Sequence, residues 1–166
     1  MSGGPLQRLE AVYSPSARQP LAGYLVASGT YLTLVAAATL FARRRRREGA
    51  ERPAAVDVVL LAVATHKASR LVSRDAVTSF FRAPLTRFEG PAGEAEVKES
   101  VRIGGEWRAL GELLSCPFCL DAWLGTFFGL GLFFAPVPTR WAASVLAAEA
   151  GADYLNLAYN ALKRLA

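Results

Sequence analysis

The chain is poor in the residues from which metal and nucleophile sites are built. Its 166 residues include two cysteines and one histidine. A zinc site takes about four ligands, so Cys116, Cys119 and His66 fall short, and zinc would need a second copy of the chain. No cofactor is expected. Strand–helix–strand alternation is missing around the cysteines. That removes a glutaredoxin-like fold, although the string Cys116-Pro117-Phe118-Cys119 also occurs in glutaredoxins. No internal repeat is present. The layout of a cleavable leader is missing too. Such leaders carry positive charge before a short apolar core. Here Arg43, Arg44, Arg45, Arg46 and Arg47 follow a core of 22 uncharged residues, 21–42.

Hydrophobicity is present and strongly segregated. Hydrophobic residues make up 52% of the chain, and mean hydropathy is positive. Residues 21–42 are long enough to cross a bilayer, which takes about 20 apolar residues. The net charge is +5. Arginines directly after a spanning helix read as a topology anchor touching anionic lipid headgroups. A nucleic-acid partner is not expected.

Residues 1–20, with Gly3, Gly4, Pro5, Pro15 and Pro20, read as a flexible tail. An added membrane helix (21–42) and an Arg-rich loop (43–55) follow. The remaining domain, 56–165, holds helices at about 56–72, 116–135 and 140–165. The segment 56–72 carries His66, Lys67 and Arg70; it either spans with a polar stripe or enters without crossing. In the polar stretch 73–115, Val77, Phe80, Phe81, Leu85 and Phe88 alternate with Arg82 and Arg87, as suits the headgroup level. A weak alternation over 94–102, with a turn at Gly104-Gly105, suits a short hairpin. Residues 106–114 look like a short amphipathic helix. The fold class is therefore all-α: a small polytopic membrane bundle of three to four transmembrane helices, in a bacterial cytoplasmic membrane.

The proline-bounded linker 136–139 makes the last two helices antiparallel neighbours. Gly125 and Gly129, facing Ala143, Ala147 and Gly151, would let them approach closely. Glu149, Asp153, Asn156 and Asn160 form a polar stripe on the last helix. Acidic groups at membrane depth need partners. If both helices cross, His66 and Arg70 lie at similar depth, so an ion-pair cluster of Glu149 and Asp153 with His66 and Arg70 is expected. It serves either as charge neutralisation or as a proton relay.

Ser115 reads as the N-cap of the third long helix, with Cys116 and Pro117 in its first turn. A thiolate is favoured at such a position, and cysteines one turn apart can form a disulfide with small adjustment. Packing or a static disulfide, thiol exchange and shared metal binding are all open readings. Trp123 reads as an interface anchor. Asp121 either orients Cys116 or pairs with a loop arginine.

Three strings carry a family resemblance: residues 62–75 (AVATHKASRLVSRD), Phe81-Arg82-Ala83-Pro84, and residues 111–123 (GELLSCPFCLDAW). With them the chain, over about 56–162, resembles the bacterial membrane-protein family known as domain of unknown function thirteen-sixty. The resemblance implies an integral membrane location; some members occur in spore-forming bacteria. It implies no activity and no catalytic residue.

Lysine and arginine counts divide the topology. Four spans place ten on the side of the tail, loop 73–115 and C-terminus, against seven on the other. The first helix alone puts Arg43–Arg47 in the cytoplasm. A non-crossing second segment would keep fourteen on one side. The expected role is a structural or protein-interaction component, with lipid, other membrane helices or a second copy as partners, and no enzymatic role is assigned. The alternatives are a membrane-bound thiol–disulfide or metal-linked redox protein using Cys116 and Cys119, and a small oligomeric transporter using the polar stripe.

Overall fold

The computed structural model describes residues 4–14, 19–44 and 53–165. Its helices are α1 (Pro5–Tyr13), α2 (Leu21–Arg44), α3 (Ala55–Ser73), α4 (Ser79–Arg82), α5 (Arg108–Ser115), α6 (Pro117–Phe134) and α7 (Pro136–Leu165). One antiparallel hairpin, β1 (Thr86–Gly93) and β2 (Glu96–Val101), interrupts them. The all-α class holds, with two small strands added. Helix α1 occupies part of the stretch read as a flexible tail. Arg45, Arg46, Arg47 and most of the Arg-rich loop lie outside the described residues.

Side-chain contacts fix the direction of each long helix. Asp57, in the first turn of α3, is gripped by Arg140 near the start of α7, with Nε–Oδ1 at 2.8 Å and Nη2–Oδ2 at 2.9 Å. Ten residues on, Lys67 Nζ reaches Asp153 Oδ2 at 2.7 Å. Helices α3 and α7 are therefore parallel. Helix α6 runs against both, through a core of Ala64, Ala68, Phe128 and Ala143. Helix α2 runs with α6: Tyr31 meets Thr126 (2.7 Å) and Trp123, and Phe41 meets Phe134. In chain order the four long helices alternate in direction. The starts of α2 and α6, the end of α3, α5 and the hairpin share one end of the bundle. Arg44, Asp57 and Arg140 mark the other.

Only α2 and α6, among the described residues, are long and apolar enough to cross a membrane. The expected third and fourth spans, α3 and α7, do not meet that measure.

Most of what is buried is small or polar, with Leu120 and Phe128 as the large apolar exceptions. Ala64, Ala68, Ala109, Ala143 and Ala150 are inside, with Asp57, Thr65, Ser69 and Ser73. Leu25, Leu32, Val59, Phe127, Trp141 and Leu155 point outward. Close helix packing runs through α3, not through the expected glycines. Gly125 faces Thr65 of α3, while Gly129 and Gly151 face open space. The expected linker 136–139 is instead the first turn of α7, where prolines need donate no helical hydrogen bond.

The hairpin lies over the end of α3 and turns at Glu94-Ala95, not at Gly104-Gly105. Arg82 organises this region and is fully buried. Its Nε donates to Glu99 Oε2 (2.8 Å), Nη1 to the Val72 carbonyl (2.6 Å) and Thr78 Oγ1 (2.9 Å), and Nη2 to the Asp75 carbonyl (3.0 Å). Arg82 thus ties α3, α4 and β2 together; it was expected at the headgroup level. Val77, Phe80, Phe81 and Phe88 remain exposed. Gly111 allows α5 to lie on the hairpin, since a Cβ there would stand 2.6 Å from Val101 Cγ1.

Candidate functional site

Two groupings of polar side chains lie at the hairpin end. The first lines a cleft of about 450 Å³ between the end of α3, the hairpin tip and α7. Lys67 sits between two carboxylates, Asp153 at 2.7 Å and Asp75 at 3.9 Å. Arg70 pairs with Glu96 of β2. Burial pushes the Asp75 carboxyl above its ordinary value; Glu96 and Asp153 add to the rise, and Lys67 and Arg70 oppose it. At the hairpin tip Glu94 accepts from Asn160 at 2.8 Å and lies 3.6 Å from Arg164.

The ion-pair cluster expected of His66, Arg70, Glu149 and Asp153 is rearranged. The two helices do meet, but Lys67 is the cation that faces Asp153. Arg70 turns to the hairpin instead. His66 is exposed, with Nε2 at 3.4 Å from the Tyr154 hydroxyl. Glu149 is exposed and interacts with Lys67 only through its charge. The polar stripe on α7 meets the cleft and the hairpin tip: Asp153 accepts from Lys67 and joins α7 to α3, and Asn160 donates to Glu94 and ties the hairpin to the bundle. Among the described residues no group of three metal-ligating side chains stands together.

The second grouping is the cysteine pair. Helix α5 ends at Ser115, whose hydroxyl bonds back to the Gly111 carbonyl at 2.7 Å. The N-cap of α6 is therefore Cys116, one residue later than expected, in extended conformation. Pro117 opens the helix, and the Cys119 N–H donates to Cys116 Sγ at 3.3 Å. The two thiols are free and lie close enough to interact. Phe118, between them in sequence, is 84% exposed. Glu112 stands one turn before Cys116, accepts from Tyr24 of α2 and from Arg108 Nε (2.8 Å), and lies within electrostatic range of Cys119. Sequence reasoning missed Glu112, because α5 ends at Ser115 and the extended Cys116 breaks any helical spacing between Glu112 and the cysteines. Trp123 turns inward to Tyr31, with ring centroids 5.2 Å apart, and is not an outward anchor. Asp121 Oδ1 is buried without a hydrogen-bond partner, so that oxygen makes neither expected contact.

The fold and its two groupings define a class: a mostly helical protein with two helices long and apolar enough for a bilayer and a polar cap at one end. Residues 60–159 match the family described as "Protein of unknown function (DUF1360)", and the chain belongs to that family. No curated protein and no solved structure matches the chain.

Proposed function

We propose that this protein is a four-span integral membrane component of the bacterial cytoplasmic membrane, with a structural or protein-interaction role. The observation that carries the reading is the inverted distribution of side chains. Soluble monomers rarely expose broad apolar surface, whereas helices packed in lipid place small residues between backbones and bind them with polar contacts. Alanines, Thr65 and Ser69 fill most of the centre here, around Phe128 and Leu120, while most large apolar side chains cover the outside of the long helices. Two pairs of charges join α3 and α7, Asp57 with Arg140 and Lys67 with Asp153, as membrane depth favours; Glu149 is exposed and stands outside these pairs. The alternating helix directions suit four crossings. Trp107 and Trp141, both exposed at opposite ends, suit two interfacial belts. Anionic lipid headgroups are the partners proposed for Arg43–Arg47.

Single cysteines placed in a Cys116→Ser/Cys119→Ser background test the crossings. A thiol reagent that cannot cross membranes is applied to intact and to permeabilised cells. Gly49→Cys is expected on one side, with Glu94→Cys and Leu165→Cys together on the other. Gly49→Cys and Glu94→Cys on the same side would overturn the four-span reading. Release of the chain by alkaline carbonate would overturn membrane integration.

A further inference from the structure

We infer that Cys116 and Cys119 form a thiol–disulfide exchange site, with Cys116 as the attacking sulfur, Cys119 as the resolving one and Glu112 as the proton acceptor for Cys119. The inference goes beyond a structural role, and only its compartment rests on the four-span reading.

Three features of the motif separate the sulfurs. Cys116 occupies the N-cap, where its Sγ receives the Cys119 N–H at 3.3 Å. A donor is thus already aimed at this sulfur, and the free N–H groups of a first helical turn favour negative charge. Cys119 stands one turn further in, with Cys116 and Glu112 in electrostatic range. Glu112 is fixed by two hydrogen bonds from different elements, Tyr24 on α2 and Arg108 on α5. Capping alone accounts for the aimed donor; what packing of two small sulfurs does not need is a fixed carboxylate near a second, exposed thiol. Cys119 is exposed and Cys116 half-buried, with Phe118 turned outward between them.

The chemistry balances with a protein disulfide as oxidant. The Cys116 thiolate attacks one sulfur of the partner disulfide. A bond forms between them, the partner S–S bond breaks, and the departing sulfur takes up a proton. Cys119 then gives its proton to Glu112 and attacks Cys116 Sγ. The Cys116–Cys119 bond forms, the mixed disulfide breaks, and the partner's second sulfur leaves with the proton. The pair has lost two electrons and two protons, and the partner disulfide has gained them. The pair lies at the opposite end of α2 from Arg43 and Arg44. If those arginines are cytoplasmic, the pair faces the outside, where disulfides persist.

The test uses the purified full chain in detergent, with oxidised glutathione as the probe and mass measurement as the readout. Wild type is expected to lose two hydrogens and retain no glutathione. Cys119→Ser is expected to hold one glutathione on Cys116, and Cys116→Ser to capture it far more slowly. Glu112→Gln is expected to slow closure of the intramolecular disulfide and move its pH profile to higher pH, without slowing capture of glutathione by Cys116. Serine variants whose circular dichroism matches wild type count as folded, and alanine variants replace any that do not. Equal capture by the two single-cysteine variants, or a wild-type chain that stays a dithiol, overturns the inference. An unmoved pH profile in Glu112→Gln overturns the role of Glu112. Exchange that succeeds in detergent while intact cells show Cys119 labelled only after permeabilisation would count against the orientation and leave the chemistry standing.

Discussion

Arg82 and Glu99 are buried against each other, Nε to Oε2 at 2.8 Å, with 0% and 6% of their side chains exposed. A buried pair of this kind punishes removal of one member more than removal of both, because the survivor keeps an uncompensated charge. Breaking one costs about 3–5 kcal/mol, whereas an apolar replacement of both is often near neutral. Arg82→Met is expected to lose stability in that range and to open the hairpin to protease. Arg82→Met/Glu99→Leu is expected to recover much of the loss, though the carbonyls of Val72 and Asp75 stay short of a donor. Thermal unfolding and limited proteolysis in detergent measure both. A double variant no better than the single would assign the cost to those carbonyls and not to the charge pair.

Gly111 and Val101 set the seat of α5 on the hairpin. A Cβ at 111 would meet Val101 Cγ1 at 2.6 Å. Overpacking of this size costs roughly 1–3 kcal/mol. Gly111→Ala is expected to lower the unfolding midpoint, and Val101→Ala added to it to restore part of the loss. If the second substitution makes matters worse, the clash is not the cause.

Asp57 and Arg140 join the starts of α3 and α7. Asp57→Arg is expected to reduce the amount of folded protein in membranes sharply, and Asp57→Arg/Arg140→Asp to regain part of it. Yield after detergent extraction and gel filtration reads both. A reversed pair as poor as the single variant would show that position, not charge, holds these helices.

The Asp75 carboxyl is pushed above 3.8 by burial. The folded chain then keeps this proton at pH values where the unfolded chain has released it. The stability so gained is complete below 3.8 and is lost as pH rises through the raised value. The unfolding midpoint of wild type, relative to that of Asp75→Asn, is therefore expected to fall with rising pH over that window. A difference that grows with pH would contradict the assignment.

How far the sequence could be read depended on period and distance. The four long helices were legible because apolar runs and prolines mark them locally. That α7 would turn its acidic stripe toward α3 was legible too. The cation it meets was not, because His66 and Arg70, four residues apart on one helical face, drew the reading to that face. The face that packs is marked by Asp57, Ala64, Lys67 and Ala68, where alanine and a lone aspartate leave little signal. Arg82 looked like any interfacial arginine, since its partner Glu99 lies 17 residues away across a strand turn. That turn is poorly advertised: Ala95 adopts φ 62°, a conformation for which glycine is the usual marker. At the cysteines the reading missed by one residue, because Ser115 is the commoner cap and only the backbone shows that the sulfur has taken its place.

The grip of Arg140 on Asp57 also bears on the order of assembly. The two residues are 83 apart in the chain, and Lys67 waits 86 residues for Asp153. On the four-span reading, a ribosome feeding a membrane releases α3 with Asp57 unanswered and Lys67 near Asp75 alone, and supplies Arg140 and Asp153 only with α7. On that reading α3 does not settle as an independent unit in lipid. It would have to be sheltered until the last helix arrives, and a chain stopped before Arg140 would expose an unfinished helix to quality control.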